Sequence, residues 1–153
     1  MRMTSARTSS RDSSPRGRIL AVDYGRRRIG LAISDEMRMT AQPLGTLVRT
    51  NRRDDLRRLR ELARKHGVAR VLVGHPAHLD GTQSEMAEEA ARFAARIEKE
   101  LGLPVELADE RLSSWEAEQV LAAAGKKRRR SLDDVAAAVI LRDYLARAQE
   151  GMK

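Results

Sequence analysis

The stretch of residues 18–35, RILAVDYGRRRIGLAISD, constrains the fold more than any other part of this chain. Its apolar run, residues 19–22, ends at an acidic residue, Asp23, and Gly25 and three arginines follow. A second run, residues 29–34, alternates large and small side chains, which is typical of a strand that another element covers closely on one face. The pattern predicts two antiparallel strands joined by a tight turn, with a carboxylate at the end of the first strand.

The absence of cysteine limits both the chemistry and the compartment that this chain suits. With no cysteine among 153 residues, disulfides and thiolate metal sites are excluded, and the composition fits a reducing cytoplasm. A chain of this length favours one domain with a single core. No apolar run approaches the length of about 20 residues that spans a bilayer, and the N-terminus lacks the apolar segment of a secretory signal. We therefore expect a cytoplasmic protein with no membrane contact.

The positive charge of the chain favours an anionic partner, and nucleic acid is the first candidate. The formal net charge is +8 and the isoelectric point is about 10.7. Aromatic residues make up only 3% of the chain, which argues against recognition of single strands by stacking several bases on aromatic rings. We expect contacts to the nucleic-acid backbone to dominate binding.

Half of the net charge lies in the N-terminal segment. Residues 1–18 contain five arginines and one aspartate, a net charge of +4. Residues 1–17 are rich in Ser, Thr and Arg, which predicts a disordered basic tail before a domain that spans residues 18–150. The tail is either a dispensable extension or a modest contributor to non-specific nucleic-acid affinity.

The remaining pattern predicts strands alternating with helices. Residues 51–66 and 83–101 have apolar side chains at helical spacing, and a glycine follows each segment. The other predicted elements are a strand around residues 44–48, strands at 68–74 and 105–108, a helix from Ser113 to Gly125, and a largely buried helix that begins after Ser131. This order predicts an α/β fold, namely a mixed five-stranded sheet with its first three strands antiparallel and helices on both faces.

Acidic residues lie where open α/β sheets gather their functional groups, at the carboxyl ends of strands. Asp23 ends the first strand, and Asp109 and Glu110 follow the last one. Side chains alternate along a strand, so one member of that pair should face the site. Asp133 and Asp134 begin the last helix, where carboxylates also suit the helix dipole. Asp23 is thus a candidate metal ligand with partners further along the chain, or only a turn residue.

Several segments in a fixed order identify a family. They are AVDYGRRRIGLAISD, the Ala-x-Pro of residues 41–43, VGHPAHLDGT, LADERLSS, the basic run KKRRR and LDDVAAAVIL. Over residues 18–147 the chain resembles the YqgF family of bacterial proteins. It departs from the usual family pattern at His75 and His78, where apolar or amide side chains are common. The resemblance implies the ribonuclease H-like fold of the Holliday junction resolvases.

The resemblance also implies a function and a set of site residues. The family is associated with processing of the 5′ end of pre-16S rRNA, and the alternative is resolution of Holliday junctions. Its acidic positions fall on Asp23, Glu110 and Asp133, with Asp134 as the alternative to the last. These carboxylates would hold two divalent ions, Mg²⁺ or Mn²⁺. The implied partners are a ribosomal RNA precursor, or branched DNA, and a pre-ribosomal particle, with the protein as a monomer or a homodimer.

Residues near these acids are candidates for binding the phosphates that flank the cleaved bond. They are Gly25, Arg26, Arg28, Arg111, Lys126, Lys127 and Arg128. The glycine would let a backbone approach without a Cβ, and the cations would position a substrate without reading its sequence. The alternative is that the arginines only cover an exposed turn and that the run at residues 126–130 is a solvated loop.

Two further hypotheses come from other functional classes. Asp-x-Gly before a hairpin is similar to the phosphate loop of actin-like ATPases, but those enzymes enclose a nucleotide between two lobes and this chain has the length of one. A non-catalytic RNA-binding module would keep the fold, and it predicts that Asp23→Asn leaves all function intact. A zinc site is disfavoured, because His66, His75 and His78 lack the spacing of zinc ligands.

Overall fold

The structure, a computed structural model, describes residues 17–76, 83–110 and 133–151. Strands and helices within these ranges follow the predicted order. They are β1 (Arg18–Asp23), β2 (Arg28–Ser34), β3 (Ala41–Val48), α1 (Arg52–His66), β4 (Val68–Pro76), α2 (Gln83–Leu101), β5 (Val105–Glu110) and α3 (Asp133–Gly151).

The strands form one five-stranded sheet with the order β3-β2-β1-β4-β5. The pairs β1–β2 and β2–β3 are antiparallel, whereas β1–β4 and β4–β5 are parallel. The predicted mixed sheet with an antiparallel start is therefore confirmed. Strand β1 is central because its side chains from Ile19 to Val22 are all apolar, and a strand with no polar face must be covered on both sides.

Helices cover both faces of the sheet. Leu20 and Val22 of β1 belong to the core under α1 and α2, whereas Ile19 and Ala21 belong to the core under α3. This alternation follows from the two-residue period of a strand. Asp23 continues the second set, so its carboxylate lies on the same face of the sheet as α3.

Helix α3 is buried on more than the side that faces the sheet. Ala137 and Ile140 pack against the sheet, and Val135 and Val139 form a separate buried cluster. The prediction of a largely buried last helix is confirmed. None of the helices in the described ranges combines the length and the hydrophobicity needed to cross a bilayer.

The ends of α1 match the sequence signals that predict them. The Asn51 side chain accepts a hydrogen bond from the backbone N–H of Asp54 at 2.9 Å, which caps the helix start. Gly67 adopts a left-handed backbone with φ of 67° and ends the helix with N–H contacts to the carbonyls of Ala63 and Arg64.

Strand β3 starts earlier than the sequence predicts. It includes Pro43, which pairs with Ala32, although the sequence predicts a strand that begins near residue 44. Proline is tolerated because β3 is an edge strand, where a missing N–H breaks no ladder on the outer side. The pairing register shifts between Leu31 and Ala32, next to Gly45 with φ of 117°.

Strands β4 and β5 each run two residues further than predicted. His75 pairs with Asp109 and Pro76 pairs with Glu110, so the two acidic positions are in the strand rather than after it. Strands β4 and β5 extend further because they pair with each other through backbone hydrogen bonds. The apolar pattern of either segment alone does not reveal this pairing.

Other predicted segments lie outside the described residues. These are the tail up to residue 16, the helix at 113–125 and the basic run at 126–130. The last residue of the predicted tail, Gly17, is described, and its carbonyl accepts a hydrogen bond from Arg38 Nε at 3.1 Å.

A buried carboxylate joins the β3–α1 connection to the helix. Asp55 has no exposed surface, and it accepts hydrogen bonds at 3.1 Å from Arg49 Nε, from Arg58 and from the backbone N–H of Thr50. Its charge compensates two arginines whose side chains are themselves partly covered.

Asp55→Ala should destabilise the protein by about 3 kcal/mol, because removing one partner of a buried ion pair leaves the other charges uncompensated. The neighbouring Asp54→Ala is the matched control, since its carboxylate is more exposed and pairs mainly with Arg57. We expect it to cost about 1 kcal/mol or less. Urea unfolding of both variants measures the difference, and equal losses would contradict the role of Asp55 as the centre of this network.

Candidate active site at the carboxyl end of the central strand

Asp23 lies in a row of small residues that crosses the sheet. Its neighbours in register are Gly30 on β2 and Gly74 on β4, and Gly74 in turn pairs with Ala108 on β5. Asp23 is the one charged residue in this row and is only 5% exposed. The absence of side chains on both flanking positions lets α3 approach the sheet closely beside the carboxylate, with Asp133 over Gly30 and Ile140 over Gly74.

The first residue of α3 is seated directly on this row. A Cβ on Gly30 would lie 1.9 Å from the carbonyl oxygen of Asp133 and 2.9 Å from its Cβ. The space that the glycine leaves is therefore filled by the helix backbone. Because Gly30 pairs with Asp23, this contact fixes the start of α3 beside the Asp23 carboxylate.

Both acids at the start of α3 lie near the row but differ in exposure. The Asp133 side chain is 41% exposed, and its Oδ2 lies 3.8 Å from Nε of Arg28. Asp134 is 4% exposed. The geometry thus brings Asp133 together with Arg28, one of the predicted phosphate-binding residues, and it leaves both Asp133 and Asp134 as candidate ligands.

Glu110 is the last residue of β5, at the same edge of the sheet as Asp23. Its side chain and that of Asp109 lie outside the described part of the structure. Among the residues that are described, no group of three or more His, Asp or Glu side chains is arranged to hold a metal ion. The described geometry therefore covers Asp23 and the helix acids, and the third acidic position is defined by its backbone alone.

Arg26, a predicted phosphate-binding residue, is instead bound to α2. Its guanidinium donates to both carboxylate oxygens of Glu89, with NH2 at 2.7 Å from Oε2, and it lies 3.5 Å from Glu85. The hydrogen bond from Arg26 and a second one from the Tyr24 hydroxyl lower the pKa of Glu89. Arg26 therefore ties the β1–β2 turn to α2.

Gly25 is required by the turn itself. A Cβ at this position would lie 2.4 Å from the carbonyl oxygen of Arg28, which a backbone cannot accommodate without moving. Its own carbonyl accepts a hydrogen bond from Arg49 at 3.1 Å. The remaining predicted phosphate-binding residues lie outside the described ranges; they are Arg111, Lys126, Lys127 and Arg128.

The sequence interpretation overlooked the acids that hold Arg26. Glu85 and Glu89 are four residues apart on α2, so they occupy one face of the helix. That spacing was a visible signal, but nothing in the local sequence shows which element lies opposite.

Comparison with known proteins assigns the chain to a family. The model of the family described as "RuvX: Holliday junction resolvase" matches residues 17–147. The chain belongs to the RuvX family. This is the YqgF family predicted from the sequence, so the prediction is confirmed. Membership places the chain among nucleases, which hydrolyse phosphodiester bonds.

Relatives in two bacteria cover nearly the whole domain. The chain is 46% identical to a protein of Koribacter versatilis (strain Ellin345), over 88% of this chain and 90% of the relative. It is 49% identical to a protein of Anaeromyxobacter sp. (strain K), over 85% of this chain and 97% of the relative. Both relatives are named, provisionally, pre-16S rRNA nuclease.

A solved structure shares the fold. T. thermophilus RuvC in complex with a Holliday junction substrate superposes with a TM-score of 0.56 at 17% identity, covering 86% of this chain and 96% of that one. The predicted ribonuclease H-like fold is confirmed.

Gly30→Ala should displace the start of α3, because the added Cβ cannot coexist with the Asp133 backbone. We expect a loss of about 3 kcal/mol, typical of an overpacked buried position. Gly102→Ala is the control, since its Cβ would meet no atom within 4 Å and only its φ of 69° opposes the substitution. That control should cost about 1 kcal/mol. Urea unfolding distinguishes the two, and a Gly30→Ala protein as stable as the wild type would contradict this packing.

Proposed function

We propose that this protein is a metal-dependent endonuclease that cuts structured nucleic acid, with the 5′ end of pre-16S rRNA as its substrate. The observation that carries the proposal is the position of Asp23. It is a buried carboxylate at the end of the central strand, flanked by two glycines, with an acidic helix start fixed beside it. The names of the relatives support the choice of RNA substrate.

The donor set suits Mg²⁺ or Mn²⁺. Burial of a carboxylate among small apolar neighbours costs free energy, which a bound cation would offset. Carboxylate oxygens are the ligands that hard divalent ions prefer, and the chain has no cysteine to offer instead. Asp23, Glu110 and Asp133 would hold the ions in a two-metal site. When bound, such ions supply an activated water and stabilise the leaving oxygen.

The residues of the chain would orient the substrate around these acids. Arg28 is exposed and lies next to Asp133, so it is placed to contact a phosphate that approaches the site. Asp23 is fixed by pairing on both sides, and Tyr24 N–H extends that pairing with a 2.8 Å hydrogen bond to the carbonyl of Gly74. A rigid carboxylate keeps its geometry when the substrate binds.

The strand parity of β5 supports Glu110 over Asp109 as the third acid. Ala108 and Glu106 face α3, the latter through a 2.7 Å hydrogen bond from the Tyr144 hydroxyl. Position 110 has the same parity, and alternation along the strand favours it for the face that carries Asp23.

Resolution of Holliday junctions is the second candidate function, because the family description names that activity and the RuvC structure holds that substrate. A resolvase cuts two strands symmetrically, so this candidate requires a stable homodimer with paired sites. Sedimentation of a monomer would count strongly against it. Processing of an rRNA precursor requires no dimer, and it would take place in the cytoplasm on a pre-ribosomal particle.

Asp23→Asn should reduce cleavage of a pre-16S rRNA fragment by at least about 1000-fold, because the amide cannot replace the charge that holds the ions. The matched control is Asp143→Asn, further along α3, which should cleave as the wild type does. Asp133→Asn and Asp134→Asn, assayed in parallel, identify which helix acid is a ligand. Full cleavage by Asp23→Asn would overturn the mechanism, whereas a wild type that binds the fragment and does not cleave it would favour a module that only binds RNA.

The same variants, assayed on a four-way DNA junction, decide between the two substrates. We expect cleavage of the rRNA precursor to exceed cleavage of the junction at equal protein and Mg²⁺ concentrations. The opposite order, together with a dimer in sedimentation, would assign the resolvase function instead.

Mg²⁺ should stabilise the wild type and leave Asp23→Asn unchanged, since a ligand that binds only the folded state raises its stability. At ten times the dissociation constant the gain is about 1.4 kcal/mol, which corresponds to a rise in Tm of about 3 to 6 °C for a domain of this size. Thermal unfolding with Mg²⁺ or with EDTA measures it. An equal rise in both proteins would show that the ion binds elsewhere.

A further inference from the structure

A second site lies on the opposite face of the sheet, between α1 and α2. It is a cavity of about 260 Å³ that we call the arginine cleft. The polar residues that line it are Tyr24, Arg49, Arg52, Glu89, Arg92 and Arg96. Of the predicted site residues whose side chains the structure describes, none lines this cleft.

Two acids at the cleft already form ion pairs with arginines. Glu89 holds Arg26, and the buried Asp55 holds Arg49. Within the described ranges, Arg52 and Arg96 form no ion pair. Arg92 is exposed and contributes only the smallest of the effects that lower the pKa of Glu89. The cleft therefore presents an excess of positive charge to solvent.

The floor of the cleft is rigid. The Arg49 guanidinium lies over the rings of Tyr24 and Phe93, at 5.2 Å and 5.1 Å from their centres. The two rings are 5.3 Å apart and tilted, and the salt bridge to Asp55 holds the guanidinium in place. The exposed cations thus project from a fixed base.

Two features of the exposed cations are unfavourable to helix stability, although Glu88 and Glu100 each lie four residues from one of the α2 arginines. Arg92 and Arg96 are four residues apart on α2, where like charges repel. Arg52 is the first residue of α1, at the end where the helix dipole disfavours a positive charge. A bound anion would relieve both costs, and arginine is well suited to phosphate because its fork of donors matches phosphate oxygens.

The cleft is adjacent to the candidate active site through the chain itself. Tyr24 follows Asp23 directly, and the two side chains lie on opposite faces of the sheet. A strand of nucleic acid that passes Asp23 and bends around the carboxyl end of β1 would reach the cleft next. Arg52 also lines a neighbouring groove next to Arg53, so the positive charge extends to the first turn of α1.

We propose that the arginine cleft binds backbone phosphates of the nucleic acid beyond the cleaved bond, an inference that rests on the proposed nuclease function. Arg92 and Arg96 would contact phosphates directly, and Arg52 would extend the contact towards α1. The cleft would fix the direction in which the substrate leaves the acidic site.

Binding of a pre-16S rRNA fragment in EDTA, measured by fluorescence anisotropy over a KCl series, tests the proposal. The double variant R92Q/R96Q should lower the slope of log Kd against log salt by about 1.4 to 1.8, since each lost phosphate contact removes about 0.7 to 0.9. The control R64Q/K65Q removes the same charge from exposed positions at the far end of α1. Position 64 is about 18 Å from Arg52 along the helix axis. It should leave the slope unchanged.

Equal slopes for R92Q/R96Q and its control would overturn the proposal. Binding of millimolar inorganic phosphate that is lost in R92Q/R96Q, without any displacement of the RNA beyond the effect of KCl at matched ionic strength, would assign the cleft to a free phosphate and also overturn it.

The binding experiment on the arginine cleft and the cleavage experiment on the nuclease proposal can fail independently of each other. Loss of cleavage in Asp23→Asn with an unchanged slope in R92Q/R96Q rejects the cleft and keeps the nuclease. A cleft-dependent slope with no cleavage of the fragment by the wild type in Mg²⁺ keeps the cleft and rejects the nuclease.

Discussion

The contact between Gly30 and the backbone of Asp133 is the constraint on which the acidic site depends. It joins a helix and a strand with no side chain between them, so the start of α3 has a single position next to Asp23. The acidic positions come from segments far apart in the chain. Sheet register positions two of them, and this one contact positions the third, which makes the geometry of the site a property of the backbone.

The sequence predicts much of this fold because local signals agree with the tertiary structure. Strand β1 is apolar from Ile19 to Val22, and α1 has both of its caps, so the sequence predicts these elements almost to the residue. The sequence does not predict the start of β3, because a proline such as Pro43 usually lies before a strand or at its first residue. Proline also fits within an edge strand, but the sequence does not show that β3 is at the edge of the sheet. The sequence places the candidate acids Asp23 and Glu110 at strand ends, but the seating of α3 on Gly30 required the structure, since a glycine in a strand has several explanations.

The arginines show the limit of reasoning from charge alone. Arg26 and Arg28 are two residues apart in one turn, yet the first is bound to α2 and the second lies beside Asp133. Arg49 binds Asp55 and donates a hydrogen bond to the Gly25 carbonyl in the β1–β2 turn, whereas Arg96 is exposed to solvent. A net charge of +8 predicts an anionic partner, but the division of arginines into structural and binding groups depends on which acids the fold places opposite them.

The proline in the edge strand has a consequence for self-association. Strand β3 ends the sheet, and Met39 and Val48 near its ends are more than 60% exposed. A regular strand with such side chains would be a template for pairing with a second molecule. Pro43 offers no N–H, and the register shift next to Gly45 bends the strand, so the outer edge presents an interrupted ladder. The same irregularity that hides the start of the strand from sequence-based prediction thus makes its outer edge a poor template for pairing with a second molecule.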